Sequence, residues 1–284
     1  MFNLRFANAT DELRMGHEHT PYKLTKVTGV DGIPVTLVTS QGFDQIGETL
    51  DSMSVESRSI GIIGRIDNFE PEQLRAINNM FRPMTVVRMY FEDKYWIDCA
   101  VQESPVFTYN LRSVVFAVQL SAPYPFWKST TMSFYRLGGT IGGFNFPVSY
   151  NIPHNFGLYA ETLFLNCVNN GNTKVDYIVE MTCSSGTATN LTLTNARNQK
   201  FIRVNTSITA SDIVRIFREN NILRVTKTTN GITSDIFSAL DEDSNLFWLD
   251  VGDNVLRADK ESGDGVMVVA VSFYNTLTGV RYGL

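Results

Sequence analysis

Ser113 to Lys128 reads SVVFAVQLSAPYPFWK, and its two-residue period constrains the fold more than any other stretch of the chain. Val114, Phe116, Val118 and Leu120 share one face of an extended strand, and Ser113, Val115, Ala117 and Gln119 share the other, because successive strand side chains point to opposite sides. The predicted strand stops at Pro123 and Pro125, which have no N–H to give a ladder, and the Gly-rich LGGTIGG of Leu137 to Gly143 follows. Upstream, Tyr95, Ile97, Cys99 and Val101 alternate in the same way. Pro105 is expected to end that run and TYNLR, Thr108 to Arg112, to supply the turn, so the two runs read as antiparallel neighbours.

Most of the chain repeats this pattern. GVDG, Gly29 to Gly32, stands between YKLTKV and IPVTLVT as a hairpin turn would, and Glu92, Asp93 and Lys94 stand likewise between VVRMYF and YWIDCAV. One short helix is predicted in the first half. Pro71 suits a first helical turn, Leu74, Ile77 and Phe81 follow at helical spacing, and Pro83 prevents continuation. In the second half Val175, Tyr177, Val179 and Met181 alternate with Asp176, Ile178, Glu180 and Thr182. Asn230 and Gly231 suit a type I′ turn, and Val266, Val268 and Ala270 alternate near the end. Asp212 to Phe217 would suit a helix face as well as a strand; its β-branched residues and short length favour strand. The expected fold class is all-β with a short helix, and the strand spacing of the second half points to a sandwich or jelly roll.

At 284 residues the chain exceeds the usual size of one core, so two domains are expected. There are 12 basic and 15 acidic residues through Thr130, and 12 and 14 after it, so neither half offers the basic patch of a nucleic-acid binder. The longest apolar stretches are strand-sized, which argues against membrane insertion, and the charged MFNLRFANATDELR argues against a signal peptide. Folding in a cytoplasm is expected. Cys99, Cys167 and Cys183 are too few and too scattered for a disulfide framework and read as buried free thiols.

Chemistry-bearing motifs are weak. His17 and His19 flank Glu18 at the spacing of a strand-borne metal pair, but His154 is the only other histidine, so an exposed polar turn is the simpler reading. Asp241, Asp243 and Asn245 open like a calcium loop, yet Leu246 stands where Gly is needed and Gly252 where Glu is needed. LGGTIGG lacks the Gly-Lys-Ser/Thr ending of a phosphate loop and reads as a flexible or tightly turned linker. Serine elbows, HExxH and CxxC are all missing from the sequence. No catalytic residue, metal or cofactor is therefore predicted, and the chain is not expected to be an enzyme. The rings of Phe144, Phe146, Tyr150, Phe156 and Tyr159, set among turn residues in GGFNFPVSYNIPHNFGLY, are the candidates for subunit contact or sugar stacking.

The order of these elements resembles the siphophage distal tail protein family, often called Dit, and related phage tail components. The resemblance is carried by GETLDSMSVESRSIGIIGRI, by EPEQLRAINNMFRPMTVVRMYFEDKYWIDCAVQESPVF and SAPYPFWKS, and later by LFLNCVNNGNTKVDYIVEM, ITASDIVRIF and LDEDSNLFWLDVGDN. It implies a ring-forming tail-hub domain over 1–130 and a galectin-like β-sandwich over 131–284, with Leu277 to Leu284 free to pack back on the first. It further implies a homohexameric ring at the virion tail tip, with the tail tube protein, a tail-tip or tail-associated protein and receptor-binding proteins as partners. DNA would pass through the ring without tight binding. The rival readings are a carbohydrate-binding module at the host surface and a cell-wall hydrolase of the tail tip.

Overall fold

The computed structural model describes residues 2–16, 21–138, 140–142, 157–159, 164–219 and 222–281, with the backbone alone described for 140–142 and 157–159. The chain divides into two compact units, one of Met1–Thr131 with Thr276–Leu284 and the other of Met132–Asn275.

The first unit opens with β1 (Leu4–Ala7), β2 (Glu12–Met15) and β3 (Tyr22–Thr28), followed by β4 (Val35–Ser40), β5 (Thr49–Val55) and β6 (Arg58–Asp67). Then come α1 (Pro71–Met80), β7 (Val86–Phe91), β8 (Tyr95–Asn110) and β9 (Ser113–Ala122), with β10 (Trp127–Leu137) next in the chain. β8 organises the unit because it serves two ladders. Its first half pairs with β7, from Phe91↔Tyr95 to Val86↔Ala100, and its second half with β9, ending at Asn110↔Ser113. Beyond β9 lie β6 and β3, and beyond β7 lie β1 and β2. The face of β9 predicted to be apolar is the buried one, and Val114, Phe116, Val118 and Leu120 are all buried. Phe116, Val118 and Leu120 join Phe6, Ile62, Phe91 and Trp127 in one core, where each large side chain removed from water contributes about 1.5–3 kcal/mol.

Several local sequence signals take the form that their chemistry predicts. The α1 helix starts with Pro71 in its first turn, and the Glu70 N–H donates to Gln73 Oε1 at 3.0 Å, half of a capping box. Ile77, Met80 and Phe81 are buried, and Phe81 meets Phe6 edge-on at 5.1 Å. Glu92 and Asp93, with φ of 52° and 51°, form the tight turn between β7 and β8.

Two expectations for this unit fail. Pro105 does not end its strand: β8 runs through it, and the ladder shifts register between Glu103 and Val106, so the proline falls at a bulge where no partner asks for its missing N–H. GVDG does not make a hairpin either. β3 pairs with β6 while β4 pairs with β5, because the buried face of β3 belongs to the core and β4 is exposed throughout.

The second unit contains β11 (Thr140–Gly142) and β12 (Gly157–Tyr159), which pair with each other, and then β13 (Phe164–Asn169), β14 (Ile178–Cys183), β15 (Thr187–Asn195) and β16 (Phe201–Thr209). It continues with β17 (Asp212–Glu219), β18 (Ile222–Thr229), β19 (Ile232–Asp235), β20 (Gly252–Ser262) and β21 (Met267–Leu277). One sheet runs β13-β20-β15-β16, and the other contains β19-β18-β17-β14-β21 in that order. Leu191, Leu193, Val204 and Leu256 of the first meet Val179, Met181, Val214 and Val271 of the second in a single core, which makes this unit a β-sandwich. Asp212 to Phe217 is strand, and Asn230 and Gly231, at φ 51° and 83°, turn β18 into β19.

Near the end the predicted face is the wrong one. Val269, Val271 and Phe273 enter the core, whereas Val266 precedes the strand and Val268 is buried outside that cluster. A one-residue slip in reading flips every side chain, and a run of Met-Val-Val-Ala-Val carries little polar contrast to fix it. Thr140–Gly142 of LGGTIGG is part of a strand pair rather than a plain linker.

Candidate assembly surface

Among the described residues the chemistry-bearing side chains do not converge. Among the described residues no three His, Cys, Asp or Glu side chains gather as a metal site. All three thiols are free and buried, and burial pushes those of Cys99 and Cys167 up to about 12, so they are protonated at neutral pH. The Asp241 carboxyl lies below its usual range because it accepts from Asn205 Nδ2 at 3.2 Å and from the Asp243 N–H at 3.0 Å. Asn245 Nδ2 donates to the Asp243 carbonyl at 2.9 Å, so the calcium-like triplet bonds to its own turn. His17, His19 and His154, like Phe144, Phe146, Tyr150 and Phe156, lie outside the described residues. Tyr159 enters only through its backbone, opposite Thr140.

The β4–β5 hairpin, which sequence reasoning passed over as ordinary strand, offers the most distinctive surface. Val35 lies opposite Val55 and Leu37 opposite Met53, and after a register shift Leu50 lies opposite Thr39. Strand alternation puts Val35, Leu37, Leu50, Met53 and Val55 with Thr39 on one face, and Thr36, Ser52 and Ser54 with Val38 on the other. Every residue of both strands is exposed, with Leu37 at 57% and Met53 at 65% of full accessibility, and Phe43 and Ile46 stand fully exposed at the tip. A contiguous apolar face left in water marks an interaction site. One sequence signal could have found it: from 27 to 57 the chain has no Lys or Arg, while Asp44, Glu48, Asp51 and Glu56 all fall on the hairpin or its base.

The base of this arm is fastened by one buried side chain. Arg58, the first residue of β6, donates from Nη1 to the carbonyls of Gly29 (2.6 Å) and Gly32 (3.1 Å), which precede β4, so both roots of the arm meet at one guanidinium. Its Nε donates to the Pro125 carbonyl at 2.7 Å and its Nη2 to the Thr278 carbonyl. The planar five-donor fork of arginine suits this convergence of carbonyls. The Glu56 N–H closes the base by donating to the Pro34 carbonyl at 3.1 Å. Thus the GVDG segment serves as the arm's anchor rather than as a hairpin turn.

Residues 170–274 match the model of the siphovirus-type tail component, C-terminal domain. The match spans most of the sandwich, from just after β13 to within β21. The whole chain is similar in fold to Dit of phage SPP1, described as a paradigm of the hub adsorption apparatus in phages infecting Gram-positive hosts. The TM-score is 0.68 at 13% identity, over 97% of this chain and 99% of that one. A chain of the phage P2 baseplate in its activated conformation with Ca is similar with a TM-score of 0.54 at 11% identity, over 99% of this chain and all of that one. No curated protein matches in sequence. The distal-tail-protein resemblance read from the sequence is borne out by this tail-component match and the shared fold, as is the all-β class with one short helix.

Proposed function

We propose that this chain is a structural hub protein of a phage tail tip: six copies form a ring that joins the tail tube to the tip or baseplate, and the second unit, galectin-like in kind, holds receptor-binding components. The observation that carries this reading is the tail-component match over 170–274. It is supported by a fold likeness that runs the full length of Dit of phage SPP1, itself described as part of a hub adsorption apparatus. The role is assembly, not catalysis. It needs apolar surface exposed on the single chain and covered in the particle, and the β4–β5 arm supplies such a surface. A ring through which DNA travels should also avoid a cationic wall, since each Lys or Arg on a phosphate retains the duplex, and the formal charge of −5 per chain accords with that.

Immunogold labelling of tails with antibody against this chain is the experiment that tests the reading. Label confined to the distal end of the tail is expected. Label along the tube, on the capsid or on no particle at all would contradict it.

A further inference from the structure

We infer that the groove between β2 and α1 receives an extended segment of another tail protein, which adds to β2 as a strand; this deepens the hub reading and rests on it.

β2 is an edge whose outward backbone is unclaimed. It ends the strand order of its sheet. The Asn8 N–H donates to the Asp11 carbonyl at 3.0 Å, and bonded pairs alternate with non-bonded ones along an antiparallel ladder. Leu13 and Met15 therefore turn their backbone groups to β1, while Glu12 and Arg14 turn theirs outward. Gly16 fits that phase: its N–H donates to the Tyr22 carbonyl at 3.2 Å and its carbonyl accepts from the Leu24 N–H at 3.1 Å, both away from β1. Among the described residues Glu12 and Arg14 have no such partner on that side. A row of this kind is a template for an added strand.

Beside this edge lies a groove of about 400 Å³, with Glu12 and Leu13 on one wall and Glu72, Arg75, Ala76 and Asn79 of α1 on the other. The four helix residues stand at i, i+3, i+4 and i+7, so a single stripe of α1 faces the groove. α1 runs opposite to β2. Arg82, past its last turn, comes within 3.9 Å of Asp11, whereas the hydroxyl of Tyr22, which lies beside Gly16, donates to the Gln73 carbonyl at 3.4 Å. A strand laid on β2 thus passes Asn79, then Arg75, then Glu72.

Charge gives the occupant its chemistry. Asp11 accepts from the Thr10 hydroxyl at 2.8 Å and Glu12 from Arg14 Nε at 2.9 Å, so the carboxylates of the strand wall are engaged. Glu72 and Arg75 are exposed and make no ion pair or side-chain hydrogen bond among the described residues. The matching segment carries an acidic residue opposite Arg75 and a basic one opposite Glu72, two positions apart on the strand face turned to α1.

The test measures binding of the full chain to an array of overlapping twelve-residue peptides spanning this chain and the other tail proteins of the same phage. One contiguous run from another tail protein is expected to bind. Arg14→Pro removes an outward N–H and no bond to β1, a change that edge strands tolerate, so it should keep the melting temperature and weaken binding on the order of 10-fold. Ala76→Trp fills the groove from the helix side and should weaken the same peptides. Glu72→Arg with Arg75→Glu should weaken them too, and exchanging the two charges in the peptide should restore binding. A silent array, binding only to peptides of this chain, wild-type binding by either single variant, or no rescue by the exchanged peptide would overturn the inference while leaving the hub reading in place. Immunogold label away from the distal end of the tail would overturn the hub reading itself.

Discussion

Arg58 ties together several segments of the first unit. Its guanidinium satisfies carbonyls from the arm's entry, from the Pro-rich turn at Pro125 and from the returning chain at Thr278, all in a buried setting. Arg58→Met should therefore leave several buried carbonyls without donors and lower stability by about 3 kcal/mol or more, read from urea unfolding. Arg58→Lys should recover only part of this, because a single ammonium cannot span the same acceptors. Gly29 shows how tight the site is: its φ is 78°, and a Cβ there would lie 1.9 Å from the Ser59 carbonyl oxygen. Asp212 plays the matching local role in the sandwich. It accepts from the Thr229 hydroxyl, from the Thr209 N–H at 2.9 Å and from the Thr209 hydroxyl at 3.1 Å, with Lys227 Nζ at 3.4 Å. The Thr229 bond foremost holds its carboxyl at about 2, below the ordinary 3.8. A carboxyl lowered in the folded state stabilises fully above its unfolded value and loses that contribution as pH falls through the folded one. Asp212→Asn should thus cost about 1–2 kcal/mol at pH 7 and little at pH 2, by urea unfolding at both values. An equal cost at both would show that the charge is not what matters.

Elements were legible where their signals were local and illegible where partners decide. The α1 helix, the Glu92–Asp93 turn, the Asn230–Gly231 turn and the alternation of β9 all follow from chemistry within a dozen residues, and all are present. Pro105, GVDG and the Val266–Ala270 register were misread because each depends on which strand lies alongside. A proline is tolerated at a bulge, a Gly-Asp-Gly can anchor as well as turn, and a nearly uniform apolar strand does not declare its inner face. The arm escaped notice because an alternating VTLV looks the same whether its apolar face meets a core or water; only the one-sided charge around it differs. One long-range element can be tested directly. The chain returns to the first unit from Thr276, where Val280 is fully buried in that core, Arg281 donates to the Val27 carbonyl at 3.0 Å and pairs with Asp31 at 3.1 Å, and its guanidinium covers the Phe2 ring. Truncation after Asn275 should lower the first unit's stability by about 2–4 kcal/mol and raise hydrogen exchange in β3 and β6, with the sandwich strands unchanged. Unchanged protection in β3 and β6 would show that this segment adds nothing.

At the scale of the whole molecule, the sandwich is similar to a tail-component domain and the first unit carries an exposed apolar arm. A conduit role predicts negligible affinity for duplex DNA even at low salt, where attraction is least screened, by fluorescence anisotropy. Tight, salt-sensitive binding would assign the chain a DNA-gripping role instead. The most direct test of the central claim is the mass and symmetry of the purified full chain, measured by native mass spectrometry together with electron microscopy. The hub reading predicts a closed six-fold ring of roughly 190 kDa, six times the 31.9 kDa chain, with an open centre. A particle that remains a 31.9 kDa monomer at high concentration, or closes as a compact dimer with no channel, would contradict it.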